Sequence, residues 1–201
     1  MRSGRSASAP PSNAVALGFG DSGDLDLSDE ARAFAKSFGA GGSVMSPCSS
    51  TDLVRALETD AIVLVSCHGD VDAPGRERAN LDDGELVLHL RDGAHRAKTL
   101  IPERVRSSLI MLSECESGVY RMAHGDFPVG AAPDLLRAGA RHCIGARFPI
   151  LSRFAASFMP ALGRELAAGV PVARAFAKTN EAHESSFDLW RDLACLELVG
   201  V

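Results

Sequence analysis

Short apolar runs alternate with amphipathic segments along most of the chain. AVALGF (14 to 19) is closed by Gly20 and Asp21, while AIVLVS (61 to 66) and LIMLS (109 to 113) contain no interrupting charge. Apolar strands without polar alternation are buried on both faces, so these runs predict strands of a parallel sheet covered by helices. Between them the period changes. Ala31, Phe34, Ala35 and Phe38 recur at i, i+3, i+4 and i+7, which predicts a helix with Ser28 as N-cap and Gly39 as its stop. Leu53, Val54 and Leu57 mark a second helix behind a Ser50 or Thr51 cap. GGSVMS (41 to 46), RHCIGARF (141 to 148) and CLELV (195 to 199) are further strand candidates, and helices are expected over about 133 to 138, 152 to 168 and 171 to 182. The middle reads differently: ELVLHL (85 to 90) and AHRAKTL (94 to 100) flank Arg91-Asp92-Gly93, the pattern of a β-hairpin inserted outside the main sheet.

Strands alternating with helices imply a doubly wound, mainly parallel α/β sheet flanked by helices, in which ligands bind beyond the carboxyl ends of the strands at a switch point. With 201 residues, 46% of them hydrophobic, the chain is expected to form a single domain over 13–201 behind a flexible N-terminal tail, 1–12. A formal net charge of −5 excludes a general nucleic-acid or anionic-membrane binder, since both need dense basic patches. The five cysteines are scattered and form no CxxC pair, which predicts free thiols in a reducing compartment, the cytoplasm, rather than a disulfide framework or a zinc site. The histidines show no metal-ligand spacing, no cofactor motif is present, and Asp24, Asp26, Ser28, Asp29 and Glu30 read as a solvated helix entry.

Chemistry concentrates at two strand ends. AIVLVS runs into Cys67-His68-Gly69-Asp70, and LIMLS runs into Glu114-Cys115-Glu116-Ser117-Gly118. Neighbouring strands would bring these ends within about 5 to 10 Å of one another. Peptide hydrolysis needs a thiolate nucleophile, an acid for the leaving amine and donors for the oxyanion. Cys115, His68 and the backbone N–H groups of Gly69 and Cys115 could supply them.

At these residues the chain resembles the CHAT domain family, relatives of caspases, separases and gingipains. IVLVSCHG (62 to 69) matches the histidine strand and LIMLSECESG (109 to 118) the nucleophile segment; DLLRAGARHCIGARFPI (134 to 150) and Trp190 through LELVG (196 to 200) match later segments. The separation of histidine and cysteine, 115 − 68 = 47 residues, is close to the caspase value of about 50. The resemblance implies a caspase-like fold, His68 as acid/base and Cys115 as nucleophile. It further implies a cysteine endopeptidase acting on a protein or peptide substrate, with a regulatory or sensor protein as partner. Asp70, Glu114, Glu116, Asp126 and Phe148 are the candidates for substrate contact. Ser117, Glu114 and FPILSR (148 to 153) depart from the family pattern and leave the dyad in place.

A different class of function fits the same residues: a non-catalytic CHAT-like module that binds a peptide or a partner protein. An α/β hydrolase or thiol redox protein lacks its GxSxG elbow or CxxC pair here.

Overall fold

The computed structural model describes residues 12–20, 27–72, 85–113, 121–123, 127–146, 151–183 and 196–200. Its centre is a six-stranded sheet in the order β11-β10-β7-β3-β1-β2. The strands are β1 (Ala14–Gly18), β2 (Gly42–Met45), β3 (Ile62–Ser66), β7 (Leu109–Leu112), β10 (His142–Ala146) and β11 (Leu196–Gly200). All neighbours run parallel except β10 and β11. The chain moves outward from β1 to β2, then returns to the other side of β1 with β3, so the winding reverses between β1 and β3. That switch point lies one strand over from the β3–β7 pair, with β3 common to both.

Both faces of the sheet are covered. Val63, Val65, Ile110 and Leu112 pack toward α2 (Ser50–Leu57) and α3 (Ala131–Ala138), whereas Ile62, Leu64, Leu109 and Met111 pack toward α1 (Leu27–Lys36), α4 (Ser152–Ala167) and α5 (Val172–His183). Successive residues of one strand thus serve opposite cores, which is why these runs read as continuously apolar. On the α1/α4 side Phe34, Phe154, Phe158 and Leu162 are fully buried. Gly163 of α4 is the concession to that packing: a Cβ there would lie 2.9 Å from the Phe34 ring.

A second sheet, β4-β5-β6, stands apart from the first and is antiparallel throughout. It consists of β4 (His68–Asp72), β5 (Glu85–Leu90) and β6 (Gly93–Arg96). Leu88 and Leu90 join the core on the α2/α3 side. The turn between β5 and β6 is tied to α2: Ser50 N–H donates to Asp92 Oδ1 at 2.9 Å, its hydroxyl to Oδ2 at 2.5 Å, and Arg91 N–H to the Cys48 carbonyl at 2.9 Å. Because Asp92 occupies Ser50, the helix cap falls on Ser49, which forms a capping box with Asp52, one residue before the expected position. The Ser28 cap is likewise displaced: Ser28 lies inside the first turn of α1, and its hydroxyl accepts from Ser46 at 2.6 Å. A two-stranded ribbon, β8 (Arg121–Ala123) with β9 (Phe127–Val129), completes the elements.

The base of β7 is firmly held. Ser107 is fully buried, and its hydroxyl lies 3.2 to 3.3 Å from the carbonyls of Ala56, Leu57 and Thr59. Arg106 N–H donates to Leu57 at 2.9 Å, and His142 N–H to Ser108 at 3.1 Å.

Candidate active site

Strands β3 and β7 are neighbours, paired Ile62↔Leu109 through Val65↔Leu112. Their carboxyl ends therefore reach the same edge of the sheet, about 4.8 Å apart across the ladder. The register offset is 109 − 62 = 47, the same as the sequence separation of His68 and Cys115, 115 − 68 = 47. The two residues stand equally far along the chain from their paired strands.

Beyond Ser66 the chain does not enter a loop. It passes the buried Cys67 and begins β4 directly at His68, which pairs with His89 across the second sheet. Gly69 pairs with Leu88 and Asp70 with Val87. His68 is exposed and Gly69 half-buried, so the imidazole is presented at the surface from a hydrogen-bonded strand. That placement limits its wandering more than a loop would. Cys115 lies outside the described residues, as do Glu114, Glu116, Asp126 and Phe148. Ser113, the last described residue before the nucleophile segment, is buried and donates its backbone N–H to Val65 at 2.8 Å.

Beneath this edge the core turns polar. Ser28, Glu30, Ser66 and Ser113 are all buried. Ser66 Oγ donates to the Leu27 carbonyl at 3.1 Å and lies beside the Glu30 carboxyl. Burial pushes the Glu30 pKa up from 4.5 to about 7, against the opposing influence of the Ser113 and Ser66 hydroxyls. The Ser113 contact is a loose one, because neither Ser113 Oγ nor Glu30 Oε1 has a partner at full hydrogen-bond distance among the described residues. Reading the segment around Glu30 as a solvated helix entry is corrected here: Glu30 points into the protein, while Asp29 of the same turn pairs outward with Arg32. An acid in a first helical turn gives no sequence signal that separates the two cases.

Cys48, Cys67 and Cys143 are buried thiols that are not joined in disulfides. Cys195 lies outside the described residues, as do Asp24 and Asp26. A small apolar pocket, lined by Leu57, Val65, Leu88, Leu100, Ile110 and Leu135 among others, lies between the sheets on the α2/α3 side. It offers no polar group to orient a reacting peptide. Among the described residues no group of three or more His, Cys, Asp or Glu is placed to hold a metal ion, and no helix is long and apolar enough to cross a membrane.

The model of the CHAT domain matches residues 6–186. The chain belongs to the CHAT family. Its fold is that of caspase-like cysteine proteinases: this CHAT domain superimposes on the Arg-specific cysteine proteinase gingipain R (RgpB) with a TM-score of 0.60 at 13% identity, over 94% of this chain and 46% of that one. The complex of the Porphyromonas gingivalis RgpB pro- and mature domains gives 0.59, again at 13% identity, over 94% and 47%. The CHAT domain thus spans a little under half the length of these solved chains. No curated protein matches it.

Proposed function

We propose that this chain is a cysteine endopeptidase in which Cys115 attacks the scissile carbonyl and His68 manages the proton. The observation that carries the reading is the pairing of β3 with β7 in a CHAT domain. These strands end side by side at one edge, and in the sequence His68 and Cys115 follow them with matching offsets of 47 residues, which supports the reading. In the reaction the Cys115 thiolate forms an acyl-enzyme, His68 protonates the departing amine, and water completes hydrolysis. The backbone N–H groups of Gly69 and Cys115 are the proposed oxyanion donors. A glycine suits this role because it lets backbone approach a substrate closely. Onset of activity is proposed to depend on a partner protein or on processing of the chain.

The test is labelling of the intact protein by a panel of peptidyl acyloxymethyl ketones that differ at P1, followed by intact mass. Labelling that disappears in Cys115→Ala and slows in His68→Ala supports the peptidase. A preference for basic P1 residues would assign recognition to acids near the dyad, with Asp70, Glu114, Glu116 and Asp126 as candidates and Phe148 as an apolar wall. Labelling that persists in Cys115→Ala removes the dyad. Wild-type protein that stays unlabelled by every probe supports a module that binds peptide or partner without cleaving it.

A further inference from the structure

The second sheet brings two histidines face to face, and the proposed reaction uses only one of them. His68 of β4 stands directly opposite His89 of β5 in the antiparallel ladder. They are 89 − 68 = 21 residues apart in the chain, so no sequence spacing announces the pair. Leu88 and Leu90, on either side of His89, are buried in the core, as is Cys67 before His68. Because side chains alternate across a strand, both histidines stand on the outer face, away from that core. His68 is exposed and His89 half-buried. On β6 the residue paired with His89 is the exposed Ala94, whose side chain is too short to cover an imidazole.

Residues directly opposite one another in an antiparallel pair have Cβ atoms about 4.5 to 5.5 Å apart. A tetrahedral zinc ion that binds two imidazoles at about 2.0 to 2.1 Å holds the two nitrogens about 3.3 Å apart. Imidazoles leaning toward each other from one rung span that gap. β5 is paired on both sides, with β4 and with β6, so the rung itself is held in place. Imidazole is also a ligand well suited to zinc, copper and nickel. The buried thiols of Cys48, Cys67 and Cys143 lie in the core and do not compete for an ion on this face. A pair of protein ligands is a smaller site than a group of three or more, of which the described residues contain none.

We infer that His68 and His89 form a two-histidine site for a divalent transition-metal ion of the zinc and copper class, with water completing the coordination. The site does not depend on the cysteine-peptidase reading, but its consequence rests on it. An imidazole whose lone pair is committed to a metal cannot take up a proton, so the ion acts as a reversible brake on His68.

The probe is Zn²⁺, titrated calorimetrically into the full chain. Wild type is compared with His68→Ala, His89→Ala, His89→Gln, His95→Ala and Cys115→Ala, each shown to unfold as wild type does. His95 is the internal control, since it pairs with Leu88 on the opposite face and lies 3.4 Å from the Asp92 carboxylate. One ion per chain is expected in wild type, His95→Ala and Cys115→Ala, with affinity at least about tenfold weaker in His68→Ala and in both His89 variants. Absence of zinc binding in wild type, undiminished binding in either His89 variant, or loss of binding in Cys115→Ala overturns the pair. The second readout is the rate of labelling by the best acyloxymethyl ketone. When zinc fills about nine-tenths of the sites, labelling of wild type should slow by about tenfold and recover with a chelator, while His89→Ala changes by less than about twofold. Zinc that slows His89→Ala as much as wild type overturns the brake. If wild type is not labelled at Cys115 even without zinc, the peptidase reading and the brake fall together, and calorimetry alone decides the site.

Discussion

Replacing Glu30 by Gln should make the protein more stable at alkaline pH and little different at acid pH. In the folded chain burial holds the carboxyl's pKa at about 7, whereas the unfolded chain exposes it at an ordinary 4.5. Below 4.5 both states carry the proton, and Glu30 imposes no ionisation cost. Between 4.5 and about 7 the folded state binds more protons than the unfolded one, so stability falls as pH rises; above 7 the loss is complete. A difference of 2.5 pKa units corresponds to about 3 kcal/mol. Gln occupies the same volume and cannot ionise. Urea unfolding of both proteins at pH 4.5, 6, 7 and 8 measures the effect, and every other titrating group cancels in the difference between them. The advantage of Glu30→Gln should grow by roughly 2 to 3 kcal/mol from pH 4.5 to pH 8. A difference that is constant with pH, or that shrinks toward pH 8, would refute the buried carboxyl.

Three further outcomes are expected from equilibrium unfolding. Gly139→Ala forces a side chain onto a φ of +125° and within 2.6 Å of the Val105 carbonyl, so it should cost more than about 2 kcal/mol; a change under about 0.5 kcal/mol would refute the fit described for the end of α3. Ser49→Ala removes the hydroxyl of the α2 capping box and should cost about 1 kcal/mol. That box also engages Asp52, whose pKa its Ser49 bonds hold below the usual carboxylate value, so its contribution should fade as pH drops below 4. Phe34→Ala empties a fully buried site between α1 and α4 and should cost about 3 to 5 kcal/mol, with an unchanged denaturant slope.

The sheet was legible because β3 and β7 are sandwiched between two cores, and that demand writes an apolar residue at every position of β7 and at every position of β3 before Ser66. The same rule located the edge where His68 follows its strand. It could not reveal β4. His68-Gly69-Asp70-Val71-Asp72 has no apolar run, and its strand character comes from backbone pairing with β5. The β8–β9 ribbon, three residues a side, is too short to carry a period. Caps moved by a residue where another element intervened, as Asp92 does at Ser50. Glu30 was missed for a related reason. Helical spacing places it in the first turn of α1, but only the docking of that turn on Gly18 and the strand ends converts a surface acid into a buried one.

The hydrogen bonds that gather around Ser107 give β7 the character of a cantilever. Its root is clamped to the end of α2 and, through Ser108, to β10. Displacement at the far end therefore becomes a small rotation about a fixed fulcrum rather than a slide of the whole strand.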